Sequence, residues 1–456
     1  MIKRLRFSLV FAVCIILVLF LKQPVFSEEC DPWFAKAVSV QGNVEVKRAD
    51  NGTWLPVRLN STFCDGDVIR VLEKSRADIM LTSQQTLRID QNTTVSLRGF
   101  NQGKSSLVDI VKGMVHFFSR FRQSLRTSTP FVNATVEGTE FLVRVDTDRT
   151  FISLFEGQIL ASNGYGSLVL NRGQSAVAVR GNAPELQFVA RPRDAVQWTL
   201  YYPAVFNCGS PDLSKKADDA RFHTCTAMSL LRVGRIDEAR TEIDSALKVS
   251  PSDGRAMSLQ TIIAVAQNNK EEALILGDKA VRSDPKSAAA YIALSYARQA
   301  NFDLKGALKS LKDAVDIEPE NALAWARLSE LYLSFGELCE SSKAAEKAES
   351  LDPDLARTRT VMGFAYLARV KTAEAVNAFN KAIELDQADP LPRLGMGLAL
   401  IREGKLAEGR GEIEIAVSLD PGNSLVRSYL GKAYYEEKRE TKAEGQFLEA
   451  KELDPK

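Results

Sequence analysis

Proline recurs in this chain at a fixed step. Pro251, Pro285, Pro319 and Pro353 follow one another every 34 residues, Pro421 and Pro455 keep the phase, and Gln387 fills the slot between. A period of this length marks a pair of helices whose apolar face is buried only by the neighbouring pair, so the units must stack into a curved array. Other positions keep the same beat. Ala246, Ala280, Ala314, Ala348, Ala382, Ala416 and Ala450 let one helix approach the next closely, and larger neighbours such as Leu311, Phe379 and Phe447 fill the space beside them. The Asp-Pro pairs at 284–285, 352–353, 420–421 and 454–455 end one helix, because the residue before proline avoids the α region.

These positions resemble the tetratricopeptide repeat family. In the unit from Ala322, Trp325, Leu328, Tyr332, Gly336, Ala348 and Pro353 stand where that family places its aromatic, leucine, tyrosine, glycine, alanine and proline. The units from Ala356 and Ser424 repeat the pattern with Gly363, Tyr366, Ala375 and Phe379, and with Gly431, Tyr434, Ala443 and Phe447. The expected array spans 220–456 as seven repeats: 220–253, 254–287, 288–321, 322–355, 356–389, 390–423 and 424–456. The resemblance implies a protein-binding groove on the concave face. Its residues here are Ile262, Ile292, Tyr296, Leu323, Phe364, Leu367, Leu394, Leu398 and Ile401, with Arg221, Arg255, Glu330, Arg357 and Lys432 as polar exceptions. An apolar stripe of this kind suits an amphipathic helix or an extended apolar segment. No polar capping helix follows Pro455, so the end carrying Phe447 is expected to be a contact surface, including for end-to-end self-association.

The N-terminus reads as an export signal over 1–27. Lys3, Arg4 and Arg6 precede an apolar run from Phe7 to Leu21, and Ser27 offers a small residue at the cut. The run is short for a membrane span, which needs ~20 residues, so an inner-membrane signal anchor is the alternative. No other segment could cross a bilayer as a helix, and none remains after cleavage. Exported cysteines can pair. Cys208 with Cys225 is the leading disulfide, Cys30 with Cys64 the second, and Cys339 is expected to be a small buried apolar residue.

Residues 28–190 read as an all-β domain. Short alternating runs such as Val44-Glu45-Val46, Thr86-Leu87-Arg88-Ile89 and Phe141-Leu142-Val143-Arg144-Val145 are separated by turn signals at Asp50-Asn51-Gly52, Asp65-Gly66-Asp67 and Asn163-Gly164. The order of motifs here resembles the FecR family, known from bacterial cell-surface signalling. The matching stretches include Gly42-Asn43-Val44-Glu45-Val46, Asp65-Gly66-Asp67-Val68-Ile69, Val136-Glu137-Gly138-Thr139-Glu140-Phe141 and Leu154-Phe155-Glu156-Gly157-Gln158. The resemblance implies β-helix-like or β-roll-like layers. It also implies a bacterial source and a periplasmic or cell-surface location. Residues 191–219 link the two parts. Trp198, Leu200, Tyr201 and Tyr202 make this link too aromatic for a solvated linker, so it is expected to dock.

The predicted fold class is therefore multidomain β plus α, an all-β FecR-like domain followed by an all-α superhelix. The chain has a net charge of +1, which gives no global pull on nucleic acid. No phosphate loop or nucleophile elbow is present, and the two histidines, His116 and His223, have no ligand set near them in sequence. The basic and aromatic residues between Phe117 and Arg126 fit alternating β positions. The sequence predicts no enzyme, cofactor or metal site, and no nucleic-acid partner. The expected role is a protein-interaction scaffold in the bacterial envelope, with a sensory component acting through the FecR-like domain as the alternative.

Overall fold

The computed structural model describes residues 30, 32–50, 52–98, 106–118, 125–189, 192–208 and 219–454. The export signal lies outside these residues, as does part of the basic and aromatic stretch. Among the described residues no helix is long and apolar enough to cross a membrane.

The first part contains β1 (Ala35–Gln41), β2 (Val44–Lys47), β3 (Trp54–Pro56), β4 (Thr62–Phe63), β5 (Val68–Val71), β6 (Arg76–Leu81), β7 (Thr86–Ile89) and β8 (Thr93–Arg98). It continues with β9 (Ser106–Phe118), β10 (Leu125–Ser128), β11 (Asn133–Val145), β12 (Arg149–Asn163), β13 (Gly166–Asn171), β14 (Ser175–Val179) and β15 (Glu185–Gln187). All belong to one hydrogen-bonded sheet that folds over on itself. The long strands make the fold, because each takes different partners along its two halves. The first half of β9 pairs with β8 and β10, and from Gly113 onward it pairs with β7 and β11. The first half of β12 pairs with β14 and its second half with β13. Glycine stands at both corners with positive φ, 96° at Gly113 and 85° at Gly157. At Gly113 a Cβ would also meet Thr93 at under 3 Å, so no other residue fits the bend. The two layers close over one apolar core that includes Val46, Ile69, Leu87, Val115, Phe141 and Ile159.

Among the described residues the second part is fourteen helices in seven antiparallel pairs. They are α1 (Ala220–Arg232), α2 (Ile236–Val249), α3 (Gly254–Ala266), α4 (Lys270–Ser283), α5 (Ala288–Ala300), α6 (Leu304–Ile317) and α7 (Ala322–Ser334). The rest are α8 (Leu338–Leu351), α9 (Ala356–Ala368), α10 (Thr372–Leu385), α11 (Pro390–Arg402), α12 (Leu406–Leu419), α13 (Ser424–Glu436) and α14 (Glu440–Leu453). The beat seen in proline reappears in the caps. Asp219, Asp253, Ser287, Asn321, Asp389 and Asn423 each accept a backbone N–H at the start of an odd-numbered helix, and only Leu355 breaks the series. The alanines singled out in the sequence are buried at every repeat.

Each odd-numbered helix ends in a left-handed turn. Gly234, Gly336 and Gly404 supply it in three repeats, but Asn268, Phe302, Val370 and Lys438 hold the same position in the other four, with φ between 58° and 62°. Left-handed backbone costs a non-glycine residue about 1–2 kcal/mol, and a β-branched residue is the worst placed. Val370→Gly should therefore raise stability by about 0.5–1 kcal/mol, after the added flexibility of the unfolded glycine is subtracted. Urea unfolding followed by helical ellipticity measures it. A loss of stability would show that the valine side chain packs against something.

The array curves until its last helix meets the second repeat. Asn268, between α3 and α4, donates to the Leu453 carbonyl at 2.7 Å, and Lys270 pairs with Asp454 at 2.8 Å. The β domain lies against the repeats at both ends of the array. Cys339 is exposed in the first turn of α8, contrary to expectation, because its helix turns that face outward. Both expected cysteine pairs are bridged, Cys30 to Cys64 and Cys208 to Cys225.

Candidate partner-binding site

A row of side chains crosses seven strands on the outer face of one layer. In register these are Ser39, Asp78, Arg88, His116, Leu142, Ser153 and Ser175. Alternation along each strand points them away from the sheet core, and yet all are buried. The helical array meets the middle of this row. Arg88 donates to the Ser418 carbonyl at 2.9 Å and to the Leu419 carbonyl, the last acceptors of α12. A cation at a helix C-terminus meets both the unpaired carbonyls and the negative end of the dipole. Arg76 does the same for α1, donating to the Arg232 carbonyl at 2.9 Å, and reaches the Trp198 carbonyl at 2.7 Å.

The traffic also runs the other way. Arg427 of α13 pairs with Glu140 of β11 at 2.9 Å, and His116 lies 3.4 Å from the same carboxylate. Burial pushes the Glu140 carboxyl up, but Arg427 and the His116 hydrogen bond outweigh it and hold the pKa well below the usual carboxylate range. Arg393 of α11 donates to the Val38 carbonyl at 3.1 Å. The Val40 N–H donates to Gln387 at 2.8 Å. Gln387 is the residue that occupies the proline slot, so the break in the repeat phase falls at a contact with the β domain.

The link between the two parts is a 3₁₀ helix, Pro192–Thr199, and an extended stretch after it. Trp198, Tyr202, Val205 and Phe206 are buried in one cluster with helices α1–α3 and α5–α8 and with Leu142 and Phe155 of the β domain. Tyr201 enters a charged network on the inner face. Arg357 contacts its hydroxyl at 3.3 Å and pairs with Glu330 at 3.0 Å and Asp389 at 3.4 Å. Burial raises the Asp389 carboxyl to about 6 despite Arg357 beside it.

The nine expected groove residues fall into three settings. Ile262, Ile292 and Leu323 are buried in the cluster that contains the connector. Tyr296 lies under the Arg327 guanidinium at 3.7 Å, Leu394 shares a cluster with Phe118 of β9, and Phe364 meets Phe379 edge-on at 5.0 Å. Leu367, Leu398 and Ile401 come together, with Tyr429 and Ala433, around an open pocket of about 340 Å³ rimmed by Arg402, Lys432 and Glu436. The stripe is thus not one continuous open groove. Much of it meets the chain's own connector and β domain.

Residues 67–160 match the family model of the FecR protein, and residues 226–288 and 394–456 match that of the tetratricopeptide repeat. The chain joins a FecR domain to an array of tetratricopeptide repeats. No curated protein matches it. Similar solved structures include a thermophilic tetratricopeptide protein of Thermus thermophilus, at 25% identity over 40% of this chain and 99% of that one, with a TM-score of 0.35. Pseudomonas aeruginosa pilF is 21% identical over 45% of this chain and 95% of its own, with a TM-score of 0.32. The Cut9–Hcn1 complex of the APC/C is 12% identical, with a TM-score of 0.40 over 52% of this chain, which spans about half (51%) of the matched chain's length. The tetratricopeptide array has the fold of a protein-interaction scaffold, and the FecR domain packs against its first and last repeats.

Proposed function

We propose that this protein is a non-enzymatic adaptor of the bacterial envelope, and that it holds a partner segment in the stretch of groove its own FecR domain and connector leave open. The observation that carries the proposal is the pocket at Leu367, Leu398 and Ile401, where three groove residues expected from the sequence line one open concavity. Concave, largely apolar sites with a few polar groups at the rim are where partners seat. Two bridged cysteine pairs support an oxidising compartment and hence export.

Leu398→Glu in the full chain is the test. It puts a charge in the pocket at a half-buried position on the edge of the helix–helix packing. Affinity capture from an envelope extract should lose at least tenfold of a specific partner, about 1.4 kcal/mol, with helical ellipticity unchanged. An identical captured set from both proteins would contradict the proposal.

A further inference from the structure

The pocket has a neighbour that its stability does not explain. Val370 sits in the left-handed turn that closes α9, where three sister repeats carry glycine, and its side chain is 70% exposed. A bulky apolar side chain held in strained backbone and left in water gains nothing for the fold. Strain of this kind collects at functional positions. The turn is tied to the pocket by one carbonyl. Leu367, in the pocket wall, accepts the Val370 N–H at 3.2 Å and also a hydrogen bond from Arg402 on the rim.

The rim carries a charge imbalance. Arg402 and Lys432 face Glu436 alone, and among the described residues Lys432 forms no ion pair. It projects from the middle of α13, between Tyr429 and Ala433, and is exposed. An apolar floor with an unpaired cation at its lip has a defined complement. Resting on the adaptor reading above, we infer that the partner segment carries a bulky apolar side chain seated on Leu367, Leu398 and Ile401 and flanked by Val370, with a carboxylate directed at Lys432. Cation and carboxylate would fix the register of the segment more than its affinity, and the apolar anchor would supply most of the hold.

Selection of phage-displayed 12-residue peptides on the full-length protein tests this. Binders are sorted by whether Leu398→Glu abolishes them. The sensitive class should be enriched in a bulky apolar residue with Asp or Glu a few positions away. Lys432→Glu should weaken those peptides about tenfold, and Val370→Gly about threefold while raising the unfolding temperature. If sensitive peptides appear without acidic residues, or bind Lys432→Glu and Val370→Gly unchanged, the inferred chemistry is wrong and the adaptor site stands. If no peptide is sensitive to Leu398→Glu, the site itself is wrong.

Discussion

Arg427→Leu should destabilise the protein by about 3–5 kcal/mol, the cost of leaving a buried carboxylate without its partner. Both members of the pair are fully buried, and they stand 287 residues apart in sequence, Glu140 in the β domain and Arg427 in the last repeat. The loss should depend on pH. Glu140 has a folded-state pKa below its unfolded value of about 4.3. Its contribution is therefore fully present above that unfolded value and is lost as pH falls through the folded pKa. The gap between the unaltered protein and the variant should narrow below pH of about 4. Asp389 has the opposite sign. Its pKa is raised to about 6, so its contribution is present in acid and is lost as pH rises through that value. Urea unfolding from pH of about 2.5 to pH of about 8 resolves both. A variant within 1 kcal/mol of the unaltered protein at pH 7 would show that Glu140 is not held by Arg427.

Replacing Cys208 and Cys225 together by serine should cost about 3 kcal/mol, the loop-closure term for a bridge across 17 residues. The bridge fastens the end of the connector to α1, and Val205 and Phe206 beside it are buried against the repeats. Loss of the bridge should therefore free the connector first. Amide exchange at 196–206 would rise before the helices open. Unchanged unfolding in the double variant, and unchanged exchange in that segment, would show that the packed aromatics hold the connector without the bridge.

The repeats were legible because stacking dictates spacing. A 34-residue unit that buries its face only on its neighbours must keep alanines, caps and helix ends in phase, and Ala246 through Ala450 do so. The strands were legible because Val44, Val46, Leu87 and Ile89 alternate with polar residues. That same alternation hid the interface. It tells which side chains leave the sheet core, not whether they meet water or another domain. Nothing in the alternation of Ser39, Asp78, Arg88 and His116 announces that they are buried. The one local sign was Gln387 in a proline slot. The bends in β9 and β12 depend on partners far along the chain, so nothing local marks Gly113 and Gly157 as corners. Three of the nine groove residues line the open pocket, because the curvature that decides what is covered is a property of the whole array.

A double-mutant cycle on Glu140 and Arg427 tests most directly whether the FecR domain is docked on the array. Arg427→Leu and Glu140→Leu are measured singly and together by urea unfolding at pH 7. The docked arrangement predicts that the double variant recovers most of the loss, with a coupling energy of roughly 2–4 kcal/mol, because removing both charges leaves neither one buried alone. Losses that simply add, with coupling under about 0.5 kcal/mol, would mean that the two residues do not meet and that the array stands apart from the domain.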